Sequence, residues 1–223
     1  MSGDIEQVTD DDGSREYKIS GKSYPSVTTI LNLLESKRAA LEGWREYERA
    51  NGNDPDAIRD RAAIRGTLVH HRVLNPYAIR ELPQPAVDPW SIDADMRAEI
   101  DVALELWDTL DFEVADDAYV ERKVYSHEHA YAGTADLLTA GCVCDLKTSS
   151  AIRESHLLQI SAYFHAIREM SDMPNPTSAC VIRLDPDLDS NPTLEPAVRY
   201  VERDELDDLF EQFLALRRRY DEK

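Results

Sequence analysis

The residues whose types and spacing could do chemistry lie between Tyr131 and Ser150, in the stretch YAGTADLLTAGCVCDLKTSS. Asp136 falls in one short apolar run, Asp145 and Lys147 fall in the next, and Ala140-Gly141 supplies a small-residue turn between them. Both runs read as strands. The side-chain period of a strand is two, so Asp145 and Lys147 share a face, and pairing across the turn lets Asp136 lie beside them. Two carboxylates and one ammonium on rigid strands are the parts of a divalent-cation site with a charged helper. Mg²⁺ and Mn²⁺ prefer oxygen ligands, which Asp136 and Asp145 offer, and the Leu146 carbonyl could add another. Lys147 could orient or help deprotonate an attacking water, or stabilise charge developing on a phosphate. The expected chemistry is metal-assisted hydrolysis. The plainer alternative is that Asp136 and Asp145 cap strand ends while Lys147 reaches solvent.

Three further groups depend on what packs near that hairpin. Glu121, two residues before Lys123 on the preceding strand, is a surface residue if isolated and a ligand or supporting group if it adjoins the acids. His70 becomes a ligand candidate only if its helix, which also carries Gly66, packs against the hairpin. Gln159 and Tyr163 sit four apart on the following helix and so share a face. Both can hydrogen-bond a phosphate or a lysine.

The elements that must position these groups follow from pattern. Residues 1–16, with TDDDGS, are polar, acidic and aperiodic, and read as a flexible tail ahead of a single domain over 17–223. Ser26 is a candidate N-cap for a helix from Val27, with Ile30, Leu31 and Leu34 as its apolar stripe. Leu41, Trp44 and Tyr47 recur at three-residue steps over 37–50, which favours core packing over stacking on bases. A helix is expected over about 56–74 and another over about 94–110, with four prolines between them. Residues 75–115 thus read as a candidate peripheral helical insertion. Strands are expected at 119–125 and 178–184, with a further candidate at 194–200, and helices at 155–170 and 202–220. The order implies an α/β or α+β fold, a small mixed sheet flanked by helices.

Composition sets limits. The chain has 223 residues, 42% apolar content and a formal charge of −19, from 44 acidic and 25 basic residues. There is no apolar run of 18 residues and no basic-plus-apolar leader, so neither a membrane span nor a secretory signal is expected. Cys142 and Cys144, one residue apart on a strand, make a poor disulfide pair, which fits a reduced, cytoplasmic compartment. The acidity argues against a nucleic-acid partner at first. However, only six basic residues are Lys while nineteen are Arg. An acid-rich, Lys-poor surface resembles cytoplasmic proteins of salt-loving microbes, where molar salt screens self-repulsion. Lys37, Arg38, Arg45, Arg59, Arg61, Arg65 and Arg72 are then the candidates for local DNA contact, or else they balance nearby acids.

Taken together, Gly66 to His70 (G-x-x-x-H), Glu121, Gly133 to Asp136 (G-T-A-D), Asp145 to Thr148 (D-L-K-T) and Gln159 to Tyr163 (Q-x-x-x-Y) resemble the PD-(D/E)XK nuclease superfamily. Within it, the set looks like the RecB-nuclease and phage-exonuclease branch, and YPSVTTIL (Tyr24 to Leu31) resembles the opening segment of many such enzymes. The resemblance spans roughly residues 24–170. It implies a central mixed sheet flanked by helices and metal-dependent cleavage of DNA. It implies His70, Asp136, Asp145 and the Leu146 carbonyl as ligands of one or two Mg²⁺ or Mn²⁺ ions, and Lys147 as catalytic lysine. Glu121 would support the site, and Gln159 and Tyr163 would position the lysine or bind DNA backbone. Some relatives carry a four-cysteine iron–sulfur cluster; with three cysteines differently placed, none is expected here. No Walker-type phosphate loop is present, so any helicase or recombination partner would be a separate chain. An exonuclease of DNA repair, recombination or viral DNA processing is the leading expectation, whether cellular or acting in a host cytoplasm. The rivals are a partner-dependent DNA-end-binding module and an acidic interaction protein. No membrane partner is expected, and an oligomer enclosing DNA stays open.

Overall fold

The computed structural model describes residues 5–9 and 15–222. Two antiparallel hairpin strands and a βαβ unit combine into a five-stranded mixed sheet. Its strands, in spatial order, are β4 (Tyr119–Ser126), β5 (Tyr131–Thr139), β6 (Cys142–Lys147), β7 (Ser178–Arg183) and β8 (Ala197–Val201). Only β6 and β7 are parallel, and the helix α5 (Glu154–Glu169) makes the crossover a parallel pair requires. The turn at Ala140-Gly141 holds both residues at positive φ, 46° and 77°, the left-handed pair that a two-residue hairpin favours.

Helices cover both faces. On one side α1 (Val27–Leu31), α5 and α6 (Arg203–Asp221) enclose Val143, Val181, Phe164 and Phe213. On the other, α3 (Pro55–Leu74) and α4 (Ala94–Asp108) bury Leu137, Leu146 and Ile182 under Val69, Met96, Ile100 and Leu106. A sheet buried on both faces reads as continuous apolar strand, as β6 and β7 do. The mixed sheet flanked by helices is therefore as the sequence predicts. Local signals also match. Ser26 Oγ accepts from the Thr29 amide at 3.0 Å to cap α1. Asp54 caps α3, with Pro55 opening its first turn.

Three expectations need correction. The flexible tail expected over 1–16 contains structure at Ile5–Thr9 (β1) and from Arg15: β1, β2 (Arg15–Ile19) and β3 (Lys22–Pro25) form an antiparallel sheet. Residues 1–4 and 10–14 lie outside the described residues. Tyr17, Ile19 and Tyr24 of this sheet are buried with Ala132, and that apolar contact outweighs the polar composition of the segment. The 75–115 region is not peripheral, because α4 supplies much of the second core layer. Finally, α2 (Glu35–Ala50) buries none of its residues, and Tyr47 is 65% exposed. Periodicity there marks a helix face that α3 and α5 cover only in part.

Candidate active site

The site is built where β5 and β6 part. Their pairing runs from Thr139↔Cys142 to Leu137↔Cys144. One residue further, the Asp136 carboxylate takes the place of a ladder partner, and its Oδ2 accepts from the Leu146 amide at 2.8 Å. This bond fixes Asp136 beside the end of β6, where Asp145 and Lys147 emerge on one face. Asp145 is fully buried, and Lys147 Nζ lies 2.6 Å from its Oδ2. That contact pairs Oδ2 with the ammonium, while the buried Oδ1 has no hydrogen-bond donor among the described residues.

His70 arrives from α3. The helix approaches the end of β6 at Gly66, where a Cβ would make a tight 3.3 Å contact with Thr148 Oγ1. His70 Nδ1 then lies 3.6 Å from Asp136 Oδ2. Glu121 arrives from β4 opposite Asp136, at φ 49°, a left-handed conformation that costs a non-glycine residue on the order of 1 kcal/mol. His70, Glu121 and Asp136 each present one ligand atom, all within 4.8 Å of one another. This trio is the tightest oxygen and nitrogen set at the cleft, with the Asp145–Lys147 pair beside it.

The electrostatics suit a cation. Burial pushes the Asp145 carboxyl up to about 7, opposed by Lys147 and reinforced by Asp136. Burial acts to lower Lys147, but Asp145 and Asp136 outweigh it and hold the ammonium above its ordinary range. Burial, then Asp136, raises Glu121 to about 7; the residue keeps much of its area open to solvent, so water screens part of that shift. Asp136 adds to the upward push on both Asp145 and Glu121, while Lys147 opposes it at the first and Arg15 at the second. Burial lowers His70 despite Asp136, which keeps the imidazole neutral, the form that ligates metals. The nitrogen and oxygen donors of His70, Glu121 and Asp136 thus fit a divalent cation.

A cleft of about 610 Å³ opens over these groups. Gln159 and Tyr163 line it from α5, with Gln159 Nε2 donating to the Tyr163 hydroxyl at 3.1 Å. Gly133 makes room for Tyr163, since a Cβ there would sit 2.4 Å from its ring. All the sequence-predicted site residues meet in or directly beneath this one cleft. The sequence reading missed Arg15 and Tyr17, which β2 brings to the cleft wall, and Tyr17 is anchored by a 3.0 Å hydrogen bond to Thr134. The alternation of Arg15, Tyr17 and Ile19 was the available signal; acidic neighbours obscured it.

The basic set divides. Arg45, Arg59, Arg61, Arg65 and Arg72 are all engaged with Asp56, Asp60, Asp93, Glu99 or Asp101, so they balance acids. Lys37 is bound to the neutral Asn32 side chain and lies close enough to Lys147 to be lowered by it, after burial. It lines a second groove of about 610 Å³ together with Trp44, Arg59, Arg153 and His156.

No protein-family model matches the chain, and no curated protein matches it. Among the described residues, no helix is long and apolar enough to cross a membrane.

Proposed function

We propose that this chain is a divalent-metal-dependent DNA nuclease, acting as an exonuclease in DNA repair, recombination or viral DNA processing. The supporting observation is convergence: α3, β4, β5 and β6 bring His70, Glu121, Asp136 and Lys147 to one cleft, with Asp145 buried beneath it against Lys147. His70, Glu121 and Asp136 would hold Mg²⁺ or Mn²⁺, with Asp145 and the Leu146 carbonyl adjoining. A bound ion supplies positive charge at the scissile phosphate and acidifies water. Asp145 and Asp136 keep Lys147 protonated, so its role is that of a donor, orienting the attacking water or meeting charge on a phosphate oxygen, rather than that of a base. Gln159 and Tyr163 would hold the DNA backbone against that centre.

Purified protein in concentrated KCl with Mg²⁺ or Mn²⁺ is to be assayed on linear, circular, single- and double-stranded DNA. Linear DNA is expected to be degraded and covalently closed circles spared, with chelator abolishing the reaction. Lys147→Ala and Asp145→Asn are each expected to slow it by about 100-fold or more. No cleavage of any substrate, or undiminished cleavage by both variants, removes the proposal. Metal-independent binding to DNA ends with no cleavage would favour the end-binding module.

A further inference from the structure

Outside the cleft, the chain's three cysteines meet at one point. Alternation along β6 puts Cys142 and Cys144 on one face, and the parallel register of β7 sets Cys180 opposite Cys144. Cys142 Sγ lies 3.8 Å from Cys144 Sγ and 3.9 Å from Cys180 Sγ, and all three sulfurs lie within 4.8 Å of one another. Cys144 and Cys180 are buried in the layer beneath α4, and Cys142 is half-buried at its margin.

We propose that Cys142, Cys144 and Cys180 form a mononuclear site for a thiophilic d¹⁰ cation, Zn²⁺ in the first instance. Three thiolates around Zn²⁺ at about 2.3 Å stand roughly 3.8 Å apart in a tetrahedral arrangement, so the sulfurs are already spaced as a face of that polyhedron. A disulfide would need a pair to close to about 2.05 Å, nearly 2 Å nearer than they stand. Packing alone calls for apolar side chains at these positions; it does not call for every cysteine of the chain at one place. Soft thiolates prefer Zn²⁺ to the oxygen-seeking ions proposed for the cleft, so the two sites would be chemically distinct. Iron–sulfur clusters take four protein ligands, and three thiols with one half-buried edge instead suit one ion with a fourth position left to water. Cys142 supplies the entry path.

The test uses the full chain, reduced, freed of metal with chelator and titrated with Co²⁺ as a spectroscopic substitute for Zn²⁺. One equivalent is expected to give near-ultraviolet thiolate-to-cobalt charge-transfer absorption, which one equivalent of Zn²⁺ then removes. Cys142→Ser and Cys180→Ser should each abolish the band, and Asp136→Asn should retain it. Absence of the band in reduced wild-type protein, or its survival in Cys180→Ser, overturns the site. Cys142→Ser changes a half-buried position, which guards against loss of fold. Its unfolding midpoint should be indifferent to Zn²⁺ while the wild-type midpoint rises, and equal responses overturn the site as well.

Discussion

At the scale of single residues, the Asp145–Lys147 pair shows why a buried charge marks a site rather than a staple. Desolvating two charges consumes most of what their attraction returns, so such a pair is weak evidence for stability. Removing one partner is another matter. In chelator, Lys147→Met is expected to destabilise the fold by about 3 kcal/mol at pH 8, read by urea unfolding, because Asp145 is left buried and unpartnered. The loss should shrink towards pH 5, where Asp145 takes a proton, and a loss independent of pH would refute the assignment. His156 gives a second pH signature. Burial, then the charges of Lys147, Arg153 and Lys37, lowers its pKa from 6.5 to about 3. Between those values the unfolded chain binds the extra proton, so stability rises with pH there. This contribution is complete above about 6.5 and is lost as the pH falls towards 3. His156→Gln should flatten the acid limb of the stability–pH profile.

At the scale of elements, the packing of α5 on β5 depends on Gly133. Gly133→Ala would drive a methyl group into the Tyr163 ring, with a contact of 2.4 Å to be relieved. A loss of about 1–3 kcal/mol is expected, measured by thermal unfolding, and the proposed nuclease activity should fall as Tyr163 shifts over the cleft. An unchanged midpoint would mean that the ring moves freely, and Tyr163 would then be no fixed wall. On α2, Trp44 is half-buried in the groove shared with Lys37 and Arg153. The sequence pattern assigned it to the core, but α3 and α5 cover that face only in part. If single-stranded DNA leaves the cleft along this groove, Trp44→Ala should weaken its binding by about tenfold, one lost stacking contact, with little change in stability. Fluorescence anisotropy with an end-labelled oligonucleotide measures it; full affinity in the variant would place the strand elsewhere.

At the scale of the whole molecule, a formal charge of −19 on 223 residues makes self-repulsion a global force against the compact state. Screening length falls to about 3 Å at 1 M salt, so the midpoint of unfolding is expected to rise substantially between 0.1 M and 2 M KCl. An unresponsive midpoint would count against the reading that acidity reflects a salty environment. Local features were legible in the chain itself. The shared face of Asp145 and Lys147, the Ala140-Gly141 turn, the Ser26 cap and the Gln159–Tyr163 contact all follow from strand period, helix period and turn chemistry. These depend only on backbone geometry over a few residues. Tertiary structure alone decided that Arg15 and Tyr17 join the cleft, that α4 roofs the second core layer, that Trp44 stays half-buried, and that Cys180 meets Cys142 and Cys144. It also decided that His70 of α3 reaches Asp136 of β5. Each of these rests on segments tens of residues apart finding one another through buried apolar area and strand register, quantities that no short window of sequence contains.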